Sequence, residues 1–135
     1  MTQMIDIVIT KIGLVEKNYN VIAAEPLLIE LRELNKSFLD VLAEPNRSVH
    51  ELVRALKFER TLAIIISNHF DNTMILRAAT ETLIWIFARD YDWIERIGDS
   101  NIILLYERLL TVKDIELMEN VKSIGFMGPR QSRFG

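Results

Sequence analysis

Apolar residues recur along this chain at the three- and four-residue spacing of amphipathic helices, almost from end to end. Met4, Ile5, Val8, Ile12 and Val15 mark the first; Ile5, Ile7 and Ile9 also alternate, which leaves a strand as the alternative there. A second helix is expected from Pro26, a residue suited to a first turn, to Leu42, with Pro45-Asn46 ending it. The third is predicted over Ser48 to His69, opened by the capping box Ser48-Val49-His50-Glu51. Asp71-Asn72-Thr73 then breaks and recaps the chain for a helix from Met74 to Ala88. Asp92-Trp93-Ile94-Glu95 predicts a short capped turn closed by Gly98, and a helix follows from Ser100 or Asn101 to near Leu110. Asp114 caps a last helix to Met127, which Gly128-Pro129 stops. The expectation is an all-α domain over residues 1–129 of about six or seven helices, with 130–135 as a flexible tail.

The pattern also repeats itself. The stretch from Thr61 to Asp71 is echoed by the stretch from Thr82 to Asp92. A longer echo carries Leu76, Ala79, Leu83 and Ile86 onto Leu117, Asn120, Ile124 and Met127, a shift of 41 positions (76 to 117). Helices recurring at about 20 residues and pairing into units of about 40 mark helical solenoids, whose units bury their apolar faces only against neighbours.

From Asp92 onward the order of parts is specific. Trp93-Ile94-Glu95-Arg96-Ile97 is a short helix, Gly98 a break, and Ile102 to Leu109-Leu110 a middle helix. Thr111-Val112-Lys113-Asp114 is a short turn ending in an acid, and Ile115 to Met127 a longer third helix. This segment resembles an armadillo repeat, and Leu56 to Ala88 resembles the preceding copy, with Asp71-Asn72 as its turn. HEAT repeats share much of the pattern, and a plain helical bundle is the non-repeat alternative. The repeat-like units are residues 48–90 and 91–128, and residues 1–47 fit as degenerate or capping helices. The resemblance implies a short right-handed superhelix whose third helices line a groove for a protein segment.

Helical projection shows what those third helices would present. Leu76, Ala79, Leu83, Ile86 and Phe87 form one stripe, and Leu117, Asn120, Val121, Ile124 and Met127 form the next. On the opposite faces Met74 corresponds to Ile115, Glu81 to Lys122, and Trp85 to Phe126. These six residues are the candidate partner-binding set: apolar anchors flanked by two charges for register. The competing account covers both rings with the N-terminal helices or with a second copy of the chain, as a homo-oligomer. Armadillo proteins that clamp an extended peptide carry asparagine where Trp85 and Phe126 stand, so the resemblance implies an apolar partner, a helix or hydrophobic segment, rather than a nuclear-localisation signal. Asn120 falls on a core stripe, where its amide would need partners.

Composition narrows the chemistry further. The chain has 135 residues, net charge −3 and no cysteine, so disulfides and thiolate sites are excluded. Its apolar runs are far below the ~20 residues of a membrane span, and residence in the cytoplasm or nucleus is the expectation. His50 and His69 stand about five turns apart on one predicted helix and cannot share a metal from it. No phosphate-binding glycine loop or di-iron motif occurs, and neither an enzyme nor a cofactor is expected. A mildly acidic domain is a poor non-specific nucleic-acid binder. Arg89, Arg96, Arg108, Arg130 and Arg133, interleaved with Tyr91 and Trp93, offer the best such edge, offset by Asp90, Asp92, Glu95 and Asp99. The functional expectation is a non-enzymatic protein-interaction module or scaffold subunit; the alternative is a small helical subunit of a nucleoprotein or viral assembly.

Overall fold

The computed structural model describes residues 2–18, 23–42, 57–87 and 102–126. These form six α-helices and, among the described residues, no strand. They are α1 (Thr2–Asn18), α2 (Ala24–Leu42), α3 (Phe58–Asn68), α4 (Thr73–Phe87), α5 (Ile102–Leu109) and α6 (Ile115–Phe126). The N-terminal segment is therefore helical despite its alternating isoleucines. Val8, Ile12 and Val15 lie buried at i, i+4 and i+7, which only a helix can point to one side.

α4 is the centre of the described helices. It packs against α2 on one flank, α6 on the other, and α3 behind. α3 in turn meets α1 and α5, while α1 pairs with α2 and α5 with α6. The six described helices thus stand in two rows, α1–α3–α5 and α2–α4–α6, joined pairwise. The core follows this arrangement: Val8, Ile12 and Val15 of α1 join Leu27, Leu31, Leu34 and Phe38 of α2. Phe58, Leu62, Ile65 and Ile66 of α3 continue it to Ile75, Leu76, Ala79, Leu83 and Ile86 of α4. Leu105 and Leu109 of α5, with Leu117, Val121 and Ile124 of α6, close it. Because α4 has neighbours on three sides, its buried face is wider than the single stripe expected of it. Ile75, Ala78, Thr80 and Thr82 are buried as well.

Local chemistry explains the helix starts. The Asn72 side-chain carbonyl accepts from the Ile75 backbone N–H (3.3 Å), and Asp114 accepts from the Leu117 N–H (2.8 Å), so each satisfies an orphan donor of the helix it begins. α3 ends at His69, whose N–H donates to Ile65 C=O (3.0 Å). Its beginning differs from expectation. A single helix from Ser48 to His69 does not form, because Lys57 adopts left-handed backbone angles (φ 52°, ψ 44°) and α3 starts at Phe58. The break points the chain so that both Phe58 and Glu59 are buried from the first turn. The capping box at Ser48, the turn from Asp92 to Gly98 and the segment from Met127 onward lie outside the described residues.

Gly13 is exposed in the middle of α1, with nothing within 4 Å of where a Cβ would project. Glycine there costs backbone entropy and contributes no contact. Gly13→Ala is expected to raise stability by about 0.5–1 kcal/mol, read as an upward shift of the urea midpoint. A lowered midpoint would mean that α1 is not a continuous helix through this position.

Candidate groove on the α2–α4–α6 row

The solvent side of α4 is a narrow strip. Met74, Arg77, Glu81 and Trp85 follow one another at three- and four-residue spacing and so fall on one line of the helix. On α2 the matching strip is Arg32, Lys36 and Leu39, with Asn35 buried beneath it. Between them opens a groove of about 290 Å³, floored by Ala78 and closed at the α6 side by Glu116. Leu39 and Met74 are exposed, at 56% and 41%, and are the two of the eight exposed large apolar side chains among the described residues that line this groove.

Of the six residues that sequence reasoning assigned to partner binding, Met74, Glu81 and Trp85 line this groove together. Ile115 and Lys122 are exposed on α6 away from it, Ile115 at 84%. The side chain of Phe126 lies outside the described residues. Trp85 is half-buried, its ring packed against the core, and its indole Nε1 is shielded from solvent with no hydrogen-bond partner. It is the one such side-chain atom among the described residues. A buried donor left unpaired costs about 1–3 kcal/mol of stability.

The walls of the groove are held by two polar clasps on α4. From α2, Asn35 Nδ2 donates to Ala78 C=O (3.1 Å) while its Oδ1 accepts from the Thr82 hydroxyl (2.6 Å). From α6, Asn120 Nδ2 donates to both Arg77 C=O (3.2 Å) and the Thr80 hydroxyl oxygen (3.0 Å), and the Thr80 hydroxyl in turn donates to Leu76 C=O (2.7 Å). The polar residue that stood out on a core stripe is therefore a latch. Its twin Asn35 went unnoticed, although it lies one turn beyond Leu31 on the buried side of α2.

Arg77 supplies the third tie. Its guanidinium grips the Asp114 carboxylate with both Nε (2.8 Å) and Nη2, and its Nη1 lies 3.2 Å from Glu116. Contacts running from Arg77–Asp114 to Thr80–Asn120 show that α4 and α6 run parallel. The Arg77 bond, and then the Leu117 N–H, hold Asp114 at a pKa of about 2, below the ordinary 3.8. As pH falls, the unfolded chain takes up this proton first, so the contribution of Asp114 is complete above about pH 4 and is lost as pH drops toward 2. Asp114→Asn is expected to lower the melting temperature at pH 7 and to flatten the melting profile between pH 4 and 2. An unchanged slope there would show that the pair is not formed.

Other charges are placed away from chemistry. Arg108 lies over the Phe70 ring, 4.2 Å from its centroid, so this arginine of the candidate basic edge is stacked on an aromatic ring. Arg89, Arg96, Arg130 and Arg133 lie outside the described residues, as does His50. No cluster of potential metal ligands occurs among the described residues. No helix among them is long and apolar enough to cross a membrane. No protein-family model, no curated protein and no solved structure matches this chain.

Proposed function

We propose that this protein is a non-enzymatic interaction module, a short right-handed superhelix of armadillo type that docks a protein segment in the groove between α2 and α4. Two features support the repeat reading: helices alternating between two rows, and the parallel course of α4 and α6 about one 40-residue unit apart. The observation that carries the docking role is the composition of the groove itself. Leu39 and Met74 present exposed apolar surface, the Trp85 ring lies beside them, and Arg32, Lys36 and Glu81 stand at the rim. Anchoring is apolar, with charges at the rim for register, and no covalent step is involved.

The test compares three tagged forms in extract of the source cell, with recovered proteins quantified by mass spectrometry. The groove form carries Leu39→Glu and Met74→Glu; the control carries Ile64→Glu, on exposed surface of α3. A partner recovered near-equimolar by wild type and control and lost by the groove form is the expected result. Equal recovery by all three would remove the groove from function.

A further inference from the structure

The charges around the groove are not evenly spent. Arg77 is committed to Asp114 and Glu116, which it holds simultaneously. Arg32 and Lys36, one turn apart on the exposed lip of α2, have no ion-pair partner among the described residues. Glu81 on the α4 side is likewise unpaired. Two free cations of α2 thus stand beside one free carboxylate of α4 at the rim of the groove. The shape matters equally. A concavity cannot be filled by the same concavity of a second copy, so its occupant is a protruding element.

From this we infer that the occupant is an acidic amphipathic helix, whose apolar stripe seats on Leu39, Met74 and Trp85 and whose carboxylates, one turn apart, face Arg32 and Lys36. The inference rests on the docking role proposed above and specifies the chemistry of the partner. Carboxylates at i and i+4 on a helix have the same spacing as the two cations, so both pairs form without distorting either backbone. The pairs sit at a rim beside apolar surface, where they set partner choice and association rate more than total affinity.

The probes are three fluorescein-labelled helical peptides of about five turns sharing one leucine stripe, with polar flanks of glutamate, serine or lysine. Fluorescence anisotropy is measured at about 50 and about 300 mM salt. The expected result is that the glutamate peptide binds the full chain about tenfold more tightly than the lysine peptide at low salt, with the gap narrowing at high salt. Arg32→Ala combined with Lys36→Ala should erase the gap between the glutamate and lysine peptides while leaving the melting temperature unchanged. Binding of all three with no acidic preference would overturn the charge assignment alone. Absence of binding by any would overturn the docking role with it. Displacement of the glutamate peptide by single-stranded oligouridylate at equal concentration would overturn the peptide partner in favour of nucleic acid.

Discussion

Replacing Asn35 with aspartate is expected to destabilise the protein by about 3–5 kcal/mol at neutral pH, a large share of the ~5–15 kcal/mol that holds a domain together. Asn35 is only 5% exposed, and its two polar atoms have opposite duties. Oδ1 accepts from Thr82, and Nδ2 donates to Ala78 C=O. Aspartate keeps the first contact and inverts the second, placing an anionic oxygen against a carbonyl in a site shielded from water. Protonation restores a donor, so the folded state would hold the proton more tightly than the unfolded chain does. The pKa at position 35 would rise, and the variant's deficit relative to wild type should vanish below about pH 4 and grow as pH increases. Urea denaturation of Asn35→Asp and wild type from pH 3 to 7 checks both parts. Asn35→Leu, which removes the polar group without inserting a charge, should cost much less, of the order of 1–2 kcal/mol. If the aspartate variant were as stable as wild type at pH 7, the clasp between α2 and α4 would not be closed.

That clasp also shows where the sequence was readable. Asp114 and the Asp71-Asn72-Thr73 break announced their helices because capping chemistry is local: a side chain satisfies an amide three residues on. The break at Lys57 had no such signal. Leu56-Lys57-Phe58 contains no glycine, asparagine or proline, and a lysine enters the left-handed region only when packing elsewhere outweighs a cost of about 1–2 kcal/mol. The width of the α4 core was legible in retrospect, since Arg77 and Glu81 are the only charges between Thr73 and Phe87. A helix so poor in charge has neighbours on several sides.

The groove was half visible. Met74, Glu81 and Trp85 could be placed together because they share one helix, where 100° per residue suffices. Arg32, Lys36 and Leu39 could not, because their position depends on α2 lying beside α4, and residues 1–47 do not follow the repeat pattern that relates α4 to α6. The 41-residue shift that paired Met74 with Ile115 ignored the turn before α6. There Asp114 and Glu116 are drawn to Arg77, so Glu116, not Ile115, faces the groove. Periodicity finds faces on one element; only contacts decide which faces meet.

The same distinction supplies the sharpest test of the repeat architecture. Leu76 and Leu117 are equivalent in the 41-residue echo, and both are fully buried. Truncating either to alanine should cost about 2–5 kcal/mol of local packing. Their consequences should nevertheless differ. Leu117 belongs to α6, which packs against α4 and α5 at one end of the rows, whereas Leu76 belongs to α4, against which α2, α3 and α6 all rest. In a chain of nearest-neighbour units, damage at an end opens the end and damage at the centre opens everything. Native-state hydrogen exchange of Leu117→Ala should therefore show amides of α5 and α6 losing protection while α1 and α2 keep theirs. Leu76→Ala should lower protection in all six helices together. A closed bundle shares one core among all its helices, so it would respond to both substitutions alike. Uniform loss of protection in Leu117→Ala would replace the proposed superhelix with a bundle, and with it the idea that the groove is one turn of a ladder.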